Sequence, residues 1–158
     1  MGLAPVEVAT GLATAKAQNI QQNVKAGTQG PIVIGADQVA HIQGTLLTKP
    51  ENEAGAVTQL AHLSGKTHEL VTACTVLLGD KTFQILDRTR LSLRRLSTDE
   101  IIRYVRWDKP FGCVGAYKFE ALGISLVEKV ETQDPSAIEG LPLIGLCNVL
   151  RQLGVEIP

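Results

Sequence analysis

The chain has 158 residues, 44% of them hydrophobic and 20% charged, which is enough to bury one core and has the balance of a folded domain. Fifteen basic and sixteen acidic side chains leave a net charge of −1. No overall field would therefore draw the protein to a nucleic-acid polymer or an anionic membrane, and any anion site must be local. The opening Met1-Gly2-Leu3-Ala4-Pro5 lacks a basic segment followed by an apolar one, and no apolar run approaches the length of a spanning helix. A single domain over residues 1–158 in the cytoplasm is the expectation.

The segment from Pro5 to Lys25, rich in Ala, Gln and Val, predicts a helix with Pro in its first turn and Gly27 beyond its end. Pro31 to Gly35 is a short apolar run that predicts a buried strand, with Val39 to Ile42 pairing back after a bend. That reading puts Asp37 at the C-terminal end of a strand, where open α/β sheets place ligands. Glu51 to Leu63 carries Ala54, Val57, Leu60 and Ala61 at helical intervals. Leu70 to Leu78 and Thr82 to Arg94 flank the Gly79-Asp80 turn as a hairpin. In the second of these strands Thr89, Leu91 and Leu93 alternate with Arg88, Arg90, Ser92 and Arg94, one apolar face against one basic face.

Ser97-Thr98-Asp99-Glu100 is a capping box opening a helix that Pro110 ends. Gly112 to Gly123 reads as irregular, Ile124 to Val130 as a strand, Asp134-Pro135 as a turn, and Leu141 to Leu153 as a closing helix. Alternating strands and helices without repeats predict an α/β fold, a mixed central sheet flanked by helices. Cys74, Cys113 and Cys147 lack metal or redox spacing and sit in apolar stretches, which predicts reduced core thiols. His41, His62 and His68 lack zinc-ligand spacing and read as ordinary polar residues.

Gly65-Lys66-Thr67 resembles the end of a phosphate loop, but Leu60 stands where that loop needs Gly, and a strand follows instead of a helix. Lys66 is thus a turn lysine or a contributor to some other phosphate site. Asp37 and Lys49 are more informative. A carboxylate able to hold Mg²⁺ and an ammonium able to meet phosphate oxygens are what phosphoanhydride cleavage requires. The same Asp in a Gly-Ala-Asp turn also suits backbone capping. Glu120, in a Gly-bounded stretch, is either solvated or a general base or metal-associated carboxylate.

Five segments then coincide in order and spacing with one family. Ile34-Gly35-Ala36-Asp37-Gln38-Val39, Lys49-Pro50, Leu63-Ser64-Gly65-Lys66-Thr67-His68-Glu69, Gly115-Ala116-Tyr117-Lys118-Phe119-Glu120 and Glu139-Gly140-Leu141-Pro142-Leu143 resemble the Maf (septum-formation-inhibitor) proteins. Ala13-Thr14-Ala15-Lys16-Ala17 resembles the family's helical Lys-Ala element. Gln38, Glu120, the Asp134-Pro135 turn and the Gly140-to-Cys147 ending look most like the branch acting on 7-methyl-GTP. The resemblance implies a Maf/ITPase-like fold and a hydrolase that converts a nucleoside triphosphate to the monophosphate and pyrophosphate with Mg²⁺ or Mn²⁺.

Carried over position by position, the resemblance implies catalytic roles for Lys16, Asp37, Lys49 and Glu120, metal contacts for Asp37 and Glu120, and substrate contacts for Gln38 and Lys66. The family's Ser-x-Ser-Pro-Arg-Arg opening has no counterpart in this sequence, Gly11 stands where Arg is common, and Thr48 replaces the usual Gly. An N-terminally shortened fold with weakened phosphate stabilisation is therefore expected, and with it an exposed sheet edge that favours a homodimer. The alternative is a catalytically impaired relative that binds nucleotide or serves as a structural oligomer.

Overall fold

The computed structural model describes residues 2–24 and 30–158. Its elements run α1 (Pro5–Asn23), β1 (Val33–Ile42), β2 (Thr45–Leu47), α2 (Glu53–Leu63), β3 (Thr67–Leu78), β4 (Lys81–Leu93), α3 (Thr98–Asp108), β5 (Val127–Glu131) and α4 (Leu143–Gln152). Short 3-10 helices fill Val114–Ala116, Leu122–Leu126 and Pro135–Glu139. The five strands form one sheet in the order β2-β1-β3-β4-β5. The α/β class and the helix-flanked sheet match the sequence reading, and the strands run antiparallel rather than in mixed directions. Two-residue turns at Gln43-Gly44 and Gly79-Asp80 reverse the chain directly, so neither connection can give a parallel pair.

The chain divides into two compact units, Met1–Gln38 with Val71–Arg88 and Gln133–Pro158, and Val39–Leu70 with Thr89–Thr132. In the first unit, Pro5 opens α1 and the Glu7 carboxylate accepts the Ala4 N–H at 2.8 Å, satisfying one of the helix's unpaired donors. The helix buries a stripe of small residues, Ala9, Ala13 and Ala17, and Ala17 packs with Val33 and Leu77. On the other face of the sheet, Leu146 and Val149 of α4 pack with Cys74 and Val76. Alternate residues of β3 thus meet different helices, which is why its burial is almost continuous. Gly35 lets α1 come this close: a Cβ there would lie 2.4 Å from the Ala13 carbonyl oxygen and 2.8 Å from the Ala17 Cβ.

In the second unit, α2 and α3 pack together. Asn52 caps α2 by accepting the Gly55 N–H at 2.8 Å. The expected Ser97–Glu100 capping box opens α3. The Ser97 N–H and then the Arg94 guanidinium, 2.9 Å away, hold the Glu100 carboxyl down to about 2.

Several boundaries differ from the sequence reading. β1 is one unbroken strand, so Asp37 sits in its middle and Val39 to Ile42 continue it without a bend. Asp37 and Gln38 find side-chain partners in the extended backbone, which removes the reason to turn there. The last expected strand begins at Val127, because Leu122–Leu126 is wound into a 3-10 helix. The Asp134-Pro135 turn is likewise the start of a 3-10 helix. Lys25 and Gly27, the expected end of the first helix, lie outside the described residues.

Candidate active site

Within the first unit, Lys16 and Asp37 are brought together. Lys16 lies on the exposed side of α1, one position before the buried Ala17, so its stem reaches over β1. Its ammonium donates to Asp37 Oδ1 and, at 3.1 Å, to the Ala36 carbonyl. The Asp37 side chain is 18% exposed and that of Lys16 57%. Among the described residues Lys16 is the only polar partner of Asp37, which leaves Oδ2 without a protein hydrogen bond. Gly35 is what permits this pairing, since it seats α1 directly on β1 two residues before Asp37.

Gln38 points its amide nitrogen into the protein. It donates to Thr72 Oγ1 and the Ala137 carbonyl at 2.8 Å each, and to the Ile138 carbonyl at 3.2 Å. The 3-10 helix Pro135–Glu139 is thereby tied to the strand beside Asp37. Asp134 fixes the other side of this segment: its carboxylate accepts from Ser136 and, at 2.7 Å, from the Ile144 N–H at the start of α4. A carboxylate suits that place, where helix N–H groups have no partner within the helix.

The second unit holds Lys49, Lys66 and Glu120. Lys66 belongs to the turn after α2: its N–H donates to the Leu63 carbonyl and its own carbonyl accepts from Leu93 N–H, both at 3.0 Å. Lys49 is exposed and lines a cleft of about 670 Å³ with Thr48, Pro50, Glu51, Gly55 and Gln59. Glu120 is exposed on the loop after Val114–Ala116. Lys49 and Glu120 both act electrostatically on the Cys113 thiol, together with Lys118 and Asp108. Burial nevertheless dominates and raises the Cys113 pKa, as it raises that of Cys74 to about 11, so both are protonated thiols at neutral pH. All three cysteines are free, but only Cys74 is a core thiol as expected; Cys113 and Cys147 are half-buried.

Four residues near this loop escaped the sequence reading. The Lys118 N–H donates to the Tyr104 hydroxyl at 3.0 Å, and the Lys118 ammonium donates at 2.6 Å to the carbonyl of Asp108, the last residue of α3. A cation is favourable there because helix C-terminal carbonyls are unsatisfied. Among the described residues, Asp108 Oδ2 is buried without a partner. Burial is the main cause of the raised Tyr104 pKa. His68 is the fourth, and its bond to Tyr117 is taken up below. The signal available was position alone: Lys118 stands two residues before Glu120.

Compared with known proteins, residues 2–153 match the model of the family described as Maf-like protein. The chain belongs to the Maf family. It is 40% identical over 149 residues to a 7-methyl-GTP pyrophosphatase of Bdellovibrio bacteriovorus, covering 94% of this chain and 76% of that protein. It is 40% identical over 157 residues to the 7-methyl-GTP pyrophosphatase of Xanthomonas oryzae pv. oryzae, covering 99% and 80%. The enzyme of that name from Hahella chejuensis is 38% identical over 158 residues, covering 99% and 77%. The Maf-family match takes in every residue discussed above. Among the described residues, no helix is long and apolar enough to cross a membrane.

Proposed function

We propose that this Maf-family chain hydrolyses a nucleoside triphosphate to the monophosphate and pyrophosphate, with 7-methyl-GTP the preferred substrate. The observation that carries this reading is the Asp37 carboxylate, oriented through one oxygen by Lys16 and, among the described residues, left without a partner on the other. The names of the relatives, each a 7-methyl-GTP pyrophosphatase, support the reaction and the base.

Among the described residues, no three His, Cys, Asp or Glu side chains gather to hold a metal ion. The second oxygen of Asp37 fits Mg²⁺ bound by one protein carboxylate and the substrate's own phosphates, its usual manner of binding with nucleotides. Asp37 would be the protein ligand, with Glu120 the second candidate. When bound, such an ion neutralises charge developing on the phosphoryl oxygens. Lys16 holds the Asp37 carboxylate in place through one oxygen, and its ammonium is also available to a phosphate oxygen. Lys49 binds the triphosphate at its exposed cleft, Lys66 adds positive charge at the turn, and Glu120 serves as a general base. The oxygen of the Gln38 side chain is the part left for substrate, since its nitrogen is taken by the protein.

A homodimer in the cytoplasm completes the proposal. β2 pairs only with Ala40, His41 and Ile42, so among the described residues no strand lies along that edge of β1 from Val33 to Val39. Ile34 on this stretch is 42% exposed. Such an edge is a template for a second chain. Light scattering that reads the mass of one chain at micromolar concentration would dismiss it.

Pyrophosphate release from 7-methyl-GTP, GTP, dTTP and UTP, with Mg²⁺ or Mn²⁺, tests the function. Release from 7-methyl-GTP at least about tenfold faster than from the pyrimidine triphosphates is expected, a difference of about 1.4 kcal/mol in transition-state binding. Preference for a pyrimidine nucleotide would overturn the substrate, and release from none of the panel would overturn the reaction.

A further inference from the structure

The loop that carries Glu120 is gripped at Tyr117. Gly115, at φ 83°, turns the chain so that the tyrosine ring lies against its backbone, and a Cβ on Gly115 would stand 2.8 Å from Tyr117 Cε1. At the far end of the ring, the hydroxyl meets His68 Nε2 at 2.7 Å. The two rings are 5.5 Å apart and meet edge-on at 73°. Both side chains are buried, His68 at 2% exposure and Tyr117 at 5%. His68 belongs to β3, so the bond joins the loop to the sheet.

Among the described residues, His68 Nδ1 is buried without a partner. An imidazole that leaves one nitrogen unpaired is a costlier filler than an apolar side chain, so packing alone does not account for it. Its structural return is the bond to Tyr117. The next residue, Lys118, is held by Tyr104 and by the end of α3, and Glu120 follows two residues later. Burial and then the neighbouring His41 lower the His68 pKa to about 4, so the ring is neutral at physiological pH. Its hydrogen bond is therefore one between neutral groups.

We infer that His68 is a positioning residue for Glu120: through Tyr117 it fixes the Gly115-to-Glu120 loop, and so sets the rate of the reaction proposed above more than the affinity for nucleotide. This rests on the reading of Glu120 as a catalytic base. A displacement of about 1 Å in such a group costs up to a hundredfold in rate.

The test uses His68→Leu, Tyr117→Phe and His68→Gln in the full chain, read below their melting temperatures. His68→Leu and Tyr117→Phe should lower kcat at least about tenfold with KM changed less than about threefold, because orientation and not binding is lost. His68→Gln can place an amide nitrogen near the position of Nε2 and should recover most of the loss. A purely structural role would not separate Gln from Leu in this way. Wild-type kcat in His68→Leu, or equal loss in the Gln and Leu variants, would overturn the inference.

A second readout needs no substrate: amide exchange at Ala121, whose N–H donates to the Lys118 carbonyl at 3.2 Å, should quicken at least about tenfold in His68→Leu and Tyr117→Phe. Amides of α4 should not change. Unchanged exchange at Ala121 counts against the grip itself. If the wild-type chain releases no pyrophosphate, the proposed reaction is what has failed, and the exchange experiment still decides the grip.

Discussion

Gly35 of β1 and Ala17 of α1 approach so closely that a methyl group on the glycine would stand 2.8 Å from the alanine's own. Contact at that range leaves no room for a side chain on the strand. It also places Lys16, the neighbour of Ala17, within reach of Asp37 two residues along.

Gly35→Ala should therefore destabilise the chain severely, by about 3 kcal/mol or more, because the clash is with helix backbone and cannot be relieved by a rotamer change. The measurement is chemical denaturation followed by circular dichroism. A variant with wild-type stability would show that α1 can lift off β1 at little cost.

Asp37→Asn should reduce pyrophosphate release by at least about a hundredfold, the scale on which loss of one charge-stabilising group is felt. Stability should change by less than about 1 kcal/mol, since the pair it breaks with Lys16 is partly exposed. Lys16→Met should leave stability similarly unchanged while lowering turnover. Full activity in Asp37→Asn would remove Asp37 from the mechanism.

Gln38→Leu removes the donor that ties β1 to Thr72, Ala137 and Ile138. A loss of about 2 kcal/mol in unfolding free energy is expected, because buried acceptors are left unpaired. Exchange should also quicken at Gly140, whose N–H closes the Pro135–Glu139 segment on the Ala137 carbonyl. If only nucleotide affinity changes, Gln38 belongs to substrate binding and not to the scaffold.

The pKa of His68 lies at about 4 in the folded chain against 6.5 for the free side chain. The unfolded chain thus takes up the proton first as pH falls. Above pH 6.5 the ring is neutral in both states and adds no pH dependence, and stability is lost from about pH 6.5 down towards pH 4, by about 3 kcal/mol at most. Denaturation curves at pH 7.5, 6 and 5 should show this fall, and His68→Leu should lack that part of it. A His68→Leu variant with the wild-type pH dependence would assign the acid sensitivity to other groups.

Local patterns in the sequence revealed what local physics decides. Ser97 and Glu100 reveal the start of α3, Gly79-Asp80 reveals the hairpin, and alternation along β4 places Thr89, Leu91 and Leu93 on the buried face. What the sequence hid depends on partners far along the chain. Asp37 reads as a turn residue until Lys16, 21 positions earlier, pairs with it in a strand. His68 reads as an ordinary polar residue until Tyr117, 49 positions later, meets its ring. Ile124 to Val130 carries the alternation of a strand, yet its first three residues belong to the 3-10 helix Leu122–Leu126, and β5 begins only after them. Among the predicted site residues, the structure pairs Lys16 with Asp37, while Lys49 and Glu120 are both exposed.

Both compact units are assembled from separated stretches of chain, three in one and two in the other. No single cut of the gene separates them, because every cut leaves at least one unit without a segment it needs. Folding must bring together residues more than a hundred positions apart before the three-segment unit can close, the kind of connectivity that slows folding. A nascent chain leaving the ribosome would hold all of the Val39–Leu70 and Thr89–Thr132 unit once β5 has emerged, and all of the other only after α4. Protease nicks near Glu51 or Lys109 would accordingly yield fragments that stay associated or unfold together, rather than a stable half.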